Sequence, residues 1–259
     1  MSSEVNVIKL GGSIITDKSK YYRLRYNEII RIAKEISIAY SNCGSRMIIV
    51  HGGGSFGHPT VAEYQGVPDA DAFSQVVYYM KELNFIIIDA LKLFGVPAFS
   101  VDTHAVFYRD CNGMLQLFSK PLEEAIKKGA VPVLYGDAIL SCNDFEVLSG
   151  DEIVWRLSQV FKPCRLLFAV DVDGVYDKHP SVPGARLLPV VSIRDAHHID
   201  FGAQSRRVDV TGEMRSKLML GARYWNSNIE EVIIFNGLKR DFIRASLCKE
   251  AVPGTRVTP

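Results

Sequence analysis

The chain has 259 residues, 47% of them hydrophobic, which is enough to bury a full core as one large α/β domain or two small ones. Thirty basic and 29 acidic side chains leave a net charge of +1, which excludes the strongly basic footprint of a nucleic-acid binder, so any anion must be bound locally. The five cysteines, Cys43, Cys111, Cys142, Cys164 and Cys248, are odd in number and lack a C-x-x-C pair; this argues against a disulfide frame or zinc site and suits a reducing cytoplasm.

The start, Met1 to Asn6, lacks the basic segment and apolar core of a signal peptide, and no run reaches the roughly 18 apolar residues of a membrane span. Val5 to Leu10 reads as a short buried parallel strand running into the backbone-rich turn Gly11-Gly12-Ser13. Lys9, near the end of that strand, either snorkels to solvent or points into a site that holds an anion, because burying it unpaired is costly. Asn27 to Tyr40 carries apolar residues at helical spacing, with Asn27 as a candidate cap, and leads to the strand Met47–Val50.

That strand empties into His51-Gly52-Gly53-Gly54-Ser55-Phe56-Gly57-His58. Three consecutive glycines can aim successive N–H groups at a phosphate, and His58 adds a donor that titrates near neutral pH. Taken alone, the stretch reads first as a tight turn after a buried strand, with a surface histidine.

A second helix spans about Ala72 to Phe94, with one apolar face that reads chiefly as core, followed by a strand at Ala98 to Val101. Phe107 to Leu117 reads as a hairpin around Asn112-Gly113, Glu123 to Lys128 as a short helix, and Val131 to Tyr135 as a strand entering Gly136-Asp137. Ile139 to Val147 is a further excursion. Ser149 is then a candidate N-cap for a helix opening at Gly150-Asp151.

The strand Arg165 to Val170 ends in Asp171-Val172-Asp173-Gly174, acidic residues placed where open α/β sheets gather ligands. Pro180 to Pro189 is loop. Asp209-Val210-Thr211-Gly212 opens the last long helix, which carries Arg215 and Lys217 and precedes the strand Val232–Phe235. The alternation predicts a three-layer αβα sandwich around a largely parallel sheet. There is no P-loop, dinucleotide fingerprint or nucleophile elbow.

In this order, Lys9-Leu10-Gly11-Gly12-Ser13, the triple-glycine turn, Gly150-Asp151, Asp171 to Tyr176, and Asp209 to Gly212 followed by Lys217 resemble the amino acid kinase superfamily over nearly the whole chain. Gly53 to Pro59, Ile15 to Lys18, Tyr135-Gly136-Asp137 and Leu83 to Leu91 most resemble archaeal-type isopentenyl phosphate kinases. The histidine after the glycine turn is the most specific mark and is shared with fosfomycin kinases.

The resemblance implies one amino acid kinase-like domain, 1–259, with acceptor binding in roughly 1–160 and nucleotide binding in roughly 161–259. It implies phosphoryl transfer from ATP, with Mg2+ carried by the nucleotide phosphates and no dedicated protein metal site, to a small alkyl monophosphate. The expected protein is a cytoplasmic homodimer with no nucleic-acid or membrane partner. Lys9 and Lys217 match lysines flanking the transferred group, Asp151 the carboxylate that holds them, and Lys18 a further phosphate-facing lysine. Gly11, Gly12, Ser13 and Gly54 match the cradle of the ATP phosphates; Asp171, Asp173, Gly174 and Gly212 lie where the family holds the nucleotide. Gly53, His58 and Gly150 match contacts to the acceptor phosphate. Phosphoryl transfer requires such alignment and charge neutralisation, without a covalent nucleophile.

Glu213 departs from the family pattern by standing where a second glycine is usual, and Thr103-His104 replaces a frequent Pro-Ser; His104 reads as a loop or surface residue, and His51 has no role. A fosfomycin-like kinase of another phosphate or phosphonate acceptor is the alternative enzyme. A non-catalytic nucleotide or metabolite sensor is the alternative outside enzymes.

Overall fold

A computed structural model describes residues 4–57, 69–142, 144–194 and 210–259. Among these, the central sheet has eight strands: β1 (Val5–Leu10), β2 (Met47–His51), β3 (Ala98–Ser100), β6 (Val131–Tyr135), β9 (Cys164–Val170), β10 (Val190–Ser192), β11 (Ile229–Asn236) and β12 (Gly254–Thr258). Their spatial order is β10-β12-β11-β9-β1-β2-β6-β3. Every pairing is parallel except β11 with β12.

Two small hairpins stand off this sheet. They are β4 (Phe107–Arg109) with β5 (Leu115–Leu117), and β7 (Asp137–Leu140) with β8 (Phe145–Leu148). The first turns at Asn112-Gly113 as its sequence predicts, with Gly113 at φ 73°.

Alternation along β1 divides the core in two. Val5 and Val7 face the layer of α5 (Lys120–Lys127), α6 (Gly150–Leu157) and α7 (Val210–Tyr224), packing with Leu122, Val154, Trp155 and Leu218. Ile8 and Leu10 face the layer of α2 (Tyr26–Asn42), α3 (Ala70–Leu93) and α8 (Phe242–Leu247), packing with Ile36, Leu83 and Ile243. Two four-residue helices, α1 (Gly12–Ile15) and α4 (Thr103–Val106), complete the described elements. The architecture is the expected αβα sandwich.

Several local expectations change. The N-cap of α2 is Arg25, with no side-chain cap, because the helix starts one residue before Asn27 and leaves that side chain inside the first turn. β10, α8 and β12 are additions; β12 alternates buried Thr255 and Val257 with exposed neighbours, too short and polar a run to stand out.

The cysteine reading is overturned. Cys43 is joined to Cys248 and Cys111 to Cys142, leaving Cys164 as a buried free thiol. The pairs are 205 and 31 residues apart in sequence, and only the fold brings their Cα atoms to 5.5 and 4.9 Å. Spacing along the chain carries no trace of such closure. No helix among the described residues is long and apolar enough to cross a membrane.

Candidate active site

Five of the six mutually parallel strands, β1, β2, β6, β9 and β11, run into turns that contain glycine along one edge of the sheet: Gly11-Gly12, Gly52-Gly53-Gly54, Gly136, Asp171 to Gly174, and Gly237. Side chains are therefore absent where backbone amides must approach one another and a ligand. A Cβ on Gly12 would collide with the Gly54 backbone, so the first two turns fit together only with glycine at position 12. Gly54 itself sits at φ 48°. Thr16 ties these turns further, since its Oγ1 accepts from the Ser55 N–H at 2.9 Å and donates to the Gly12 carbonyl at 2.7 Å.

Lys9 shares the parity of Val5 and Val7, which turns it toward α6 and α7. There Lys9 Nζ donates to Asp151 Oδ2 at 2.6 Å, and Lys217 Nζ donates to the other oxygen, Oδ1. All three residues are at most 8% exposed. Ser149 accepts from the Glu152 N–H and caps α6, fixing Asp151 in its first turn as the sequence predicts. Trp155, on the same helix, donates its indole N–H to the Lys217 carbonyl at 3.0 Å and fastens α7 to α6 at the height of that lysine. Lys217 Nζ also lies 4.8 Å from the centre of the Phe168 ring.

Burial alone would raise the Asp151 carboxyl, but the two ammonium groups outweigh it and hold the pKa at about 2. The cluster carries two positive charges against one negative.

A cavity of about 320 Å³ opens beside this cluster. It is lined by Lys9, Lys18, Gly53, Gly54, Gly150 and Asp151 together with the apolar side chains Val76, Met80, Val147 and Leu148. The apolar residues come from α3 and β8. From sequence the inner face of α3 reads chiefly as core, because the 3.6-residue period of a buried face and of a cavity wall is the same.

Gly11 and Ser13 flank Gly12 at the cradle, while Asp171, Asp173 and Gly174 follow β9 at the same sheet edge. Asp173 Oδ1 accepts from Asn236 Nδ2 at 2.8 Å. Gly212 and Glu213 fall in the first turn of α7, whose side chains there lie outside the described residues, as does His58.

His104 is not a surface residue. It lies half-buried in α4, with its backbone N–H and Nδ1 on Asp137 Oδ2 at 3.3 and 2.8 Å. The hydrogen bond to Asp137 raises the imidazole pKa, whereas burial raises that of Asp137. His51 is fully buried, 3.2 Å from Asn84 Oδ1, with burial lowering its pKa to about 4; it is a neutral structural side chain. Among the described residues no group of three His, Cys, Asp or Glu side chains could hold a metal ion.

The sequence profile of the Amino acid kinase family matches residues 4–236. An isopentenyl phosphate kinase of Methanocaldococcus jannaschii is 31% identical over 98% of this chain and 98% of its own length. The corresponding enzyme of Methanothermobacter thermautotrophicus is 34% identical over 97% and 98%. A solved isopentenyl phosphate kinase structure superposes with a TM-score of 0.79 at 30% identity, covering 98% of this chain and all of that one.

Proposed function

The chain belongs to the amino acid kinase family, among its isopentenyl phosphate kinases, and we infer that it transfers the γ-phosphoryl group of ATP to isopentenyl phosphate, giving isopentenyl diphosphate. The observation that carries this reading is the mixed lining of the cavity, lysines and glycines together with the apolar side chains Val76, Met80, Val147 and Leu148. An alkyl monophosphate has a partner for both kinds of lining: a phosphate for the lysines and glycines and an apolar chain for the rest. A phosphonate of fosfomycin type would leave the Val76, Met80 and Val147 wall facing polar atoms, and no observation favours it.

In this reading Lys9 and Lys217 flank the transferred phosphoryl group and Asp151 sets their spacing. Charge developing on the phosphoryl oxygens then meets ammonium groups that need no reorganisation. Lys18 adds a third positive charge from its loop. Gly11, Gly12, Ser13 and Gly54 offer backbone N–H groups to the ATP phosphates, with Asp171, Asp173, Gly174 and Gly212 around the remainder of the nucleotide. Gly53, Gly150 and His58 hold the acceptor phosphate. Its ionised oxygen is the nucleophile, so no strong base is required. Apart from the ATP-phosphate cradle at Gly11, Gly12, Ser13 and Gly54, this reading puts acceptor binding in roughly 1–160 and nucleotide binding in roughly 161–259.

The residues present fit Mg2+ that arrives on ATP: both Asp151 oxygens are occupied by lysines, and the cradle offers donors suited to phosphate oxygens. When bound, the ion neutralises charge on the phosphates. We further propose a homodimer through the outer face of α3, where Tyr78, Phe85 and Leu93 stand exposed. Light scattering on the purified protein tests it, a monomer mass refuting the dimer. The proposed compartment is the cytoplasm; the two disulfides then require a cell in which intracellular disulfides persist, as in hyperthermophiles.

Turnover with Mg-ATP and a panel of isopentenyl phosphate, fosfomycin and short alkyl phosphates tests the acceptor. The highest kcat/KM is expected for isopentenyl phosphate. Turnover of fosfomycin alone would refute the assignment.

A further inference from the structure

Lys18 stands on a closed loop. The isolated antiparallel bridge between Thr16 and Leu24 forms its neck, and the Asp17 N–H donates to the Arg23 carbonyl at 2.8 Å. A lysine on such a loop reaches a fixed point in the cavity only if the loop itself is held. Tyr22 supplies that hold from two directions. Its backbone N–H donates to the Ser55 carbonyl at 3.1 Å, next to the mutual Arg23–Ser55 contacts, in which the Arg23 N–H donates to Ser55 Oγ at 3.1 Å and Oγ donates to the Arg23 carbonyl at 3.2 Å. Its ring meets Phe56 edge-on, with centroids 5.5 Å apart, and lies 4.6 Å from the ring of Tyr79 on α3. Phe56 precedes Gly57 and Tyr79 adjoins Met80, two residues that line the cavity with Lys18, so the partly exposed ring bridges the neighbours of two lining positions.

Tyr22 holds this place at φ 52°, a left-handed conformation that disfavours any residue with a Cβ and that glycine or asparagine would adopt more easily. Such a conformation persists where surrounding contacts over-determine it. An aromatic residue here is explained by what its ring touches.

We propose that Tyr22 is a positioning residue for phosphoryl transfer, whose ring, seated between Phe56 and Tyr79, fixes the loop that delivers Lys18 to the cavity. The proposal rests on the role assigned above to Lys18. A displacement of about 1 Å in a positioned group can cost roughly 100-fold in rate. Tyr22→Ala is therefore expected to lower kcat roughly 10- to 100-fold with little change in KM for ATP, whereas Tyr22→Phe, which keeps the ring, retains at least about half of it.

The deciding experiment is a double-mutant cycle on the full chain with saturating Mg-ATP and isopentenyl phosphate, with melting temperatures measured in parallel. If Tyr22 acts through Lys18, the Tyr22→Ala/Lys18→Ala protein turns over within about threefold of Lys18→Ala alone. Losses that multiply, a Tyr22→Ala protein as fast as wild type, or a Tyr22→Phe protein as slow as Tyr22→Ala would overturn the proposal while leaving Lys18 in its role. A Lys18→Ala protein with undiminished kcat would instead remove that role, and the positioning proposal with it.

Discussion

Asp151 accepts Lys9 on one carboxylate oxygen and Lys217 on the other, joining residues 142 and 66 positions distant in sequence into one buried, net-positive cluster. Each carboxylate oxygen is engaged by one lysine. The carboxylate's work is geometric and electrostatic. Asp151→Asn leaves two buried ammonium groups facing a neutral amide, and breaking a buried pair in this way costs about 3–5 kcal/mol. We expect a lower melting temperature and a kcat reduced by about two to three orders of magnitude, since a preorganised electrostatic group is lost. Calorimetry and steady-state kinetics on one preparation measure both effects, and an unchanged kcat would deny Asp151 its bracing role.

In the proposed reading, Lys9→Ala and Lys217→Ala each remove charge from beside the transferred group. Interactions made mainly in the transition state appear in kcat, so kcat is expected to fall by roughly 100- to 1000-fold in each while KM for ATP moves less. A rise in KM with kcat preserved would make the lysines ground-state binders only.

The acid limb of stability follows from the same cluster. The Asp151 carboxyl lies at about 2 in the fold against an ordinary 3.8, so its stabilising contribution is fully present above about 3.8 and is lost as pH falls through about 2. The His104–Asp137 pair acts in the opposite direction. Its folded pKa values are both raised, so the fold holds extra protons and stability declines as pH rises through the imidazole range. The difference in unfolding free energy between wild type and His104→Ala is expected to be largest below pH 6.5 and to shrink above the raised pKa. Urea titrations at a series of pH values measure it, and a difference independent of pH would show that the imidazole acts by packing alone.

Much of the catalytic edge was legible in the sequence because charges and glycines beside apolar strands have few inexpensive explanations. Lys9 at the end of β1 and the glycines after β2 each depart from a local rule of burial or propensity, while Ser149 follows one, marking the helix start that carries Asp151. The wall formed by Val76 and Met80 was hidden, because a cavity wall and a packed core use the same residues at the same spacing. Tyr22 was hidden for another reason: its neighbours, Ser55, Phe56 and Tyr79, meet it only in the folded chain. The cysteine pairs and the antiparallel β12 likewise depend on long-range closure.

Those disulfides provide a further check. Closing a long loop restricts the unfolded chain, and a native bridge commonly contributes about 2–4 kcal/mol. Cys43 and Cys248 terminate α2 and α8, on the side of the sheet away from Asp151. Cys43→Ser/Cys248→Ser should therefore lower the melting temperature by several degrees while kcat at 25 °C stays within about twofold of wild type. Differential scanning calorimetry of the oxidised wild type and the variant compares the two, and identical melting would remove the bridge as a source of stability.

His58 is assigned as a hydrogen-bond donor to the acceptor phosphate. His58→Ala should cripple turnover and His58→Gln, which keeps an N–H donor but cannot act as a base at neutral pH, should recover a measurable part of it. Full recovery is not expected, because a charged donor binds phosphate more strongly than a neutral amide. Equal loss in two folded, ATP-binding variants would replace the donor role with a requirement for charge or for a base.

The central claim is that the Asp151-braced lysines carry a phosphoryl group from ATP onto an alkyl monophosphate held in the adjoining cavity. Phosphorus NMR of a reaction containing the protein, Mg-ATP and isopentenyl phosphate tests it most directly. The monophosphate resonance should disappear as a pair of coupled diphosphate resonances grows, with one ADP formed for each diphosphate, and the Lys217→Ala protein should slow this conversion roughly 100-fold or more. ATP consumed to free phosphate while the monophosphate resonance persists would contradict the account.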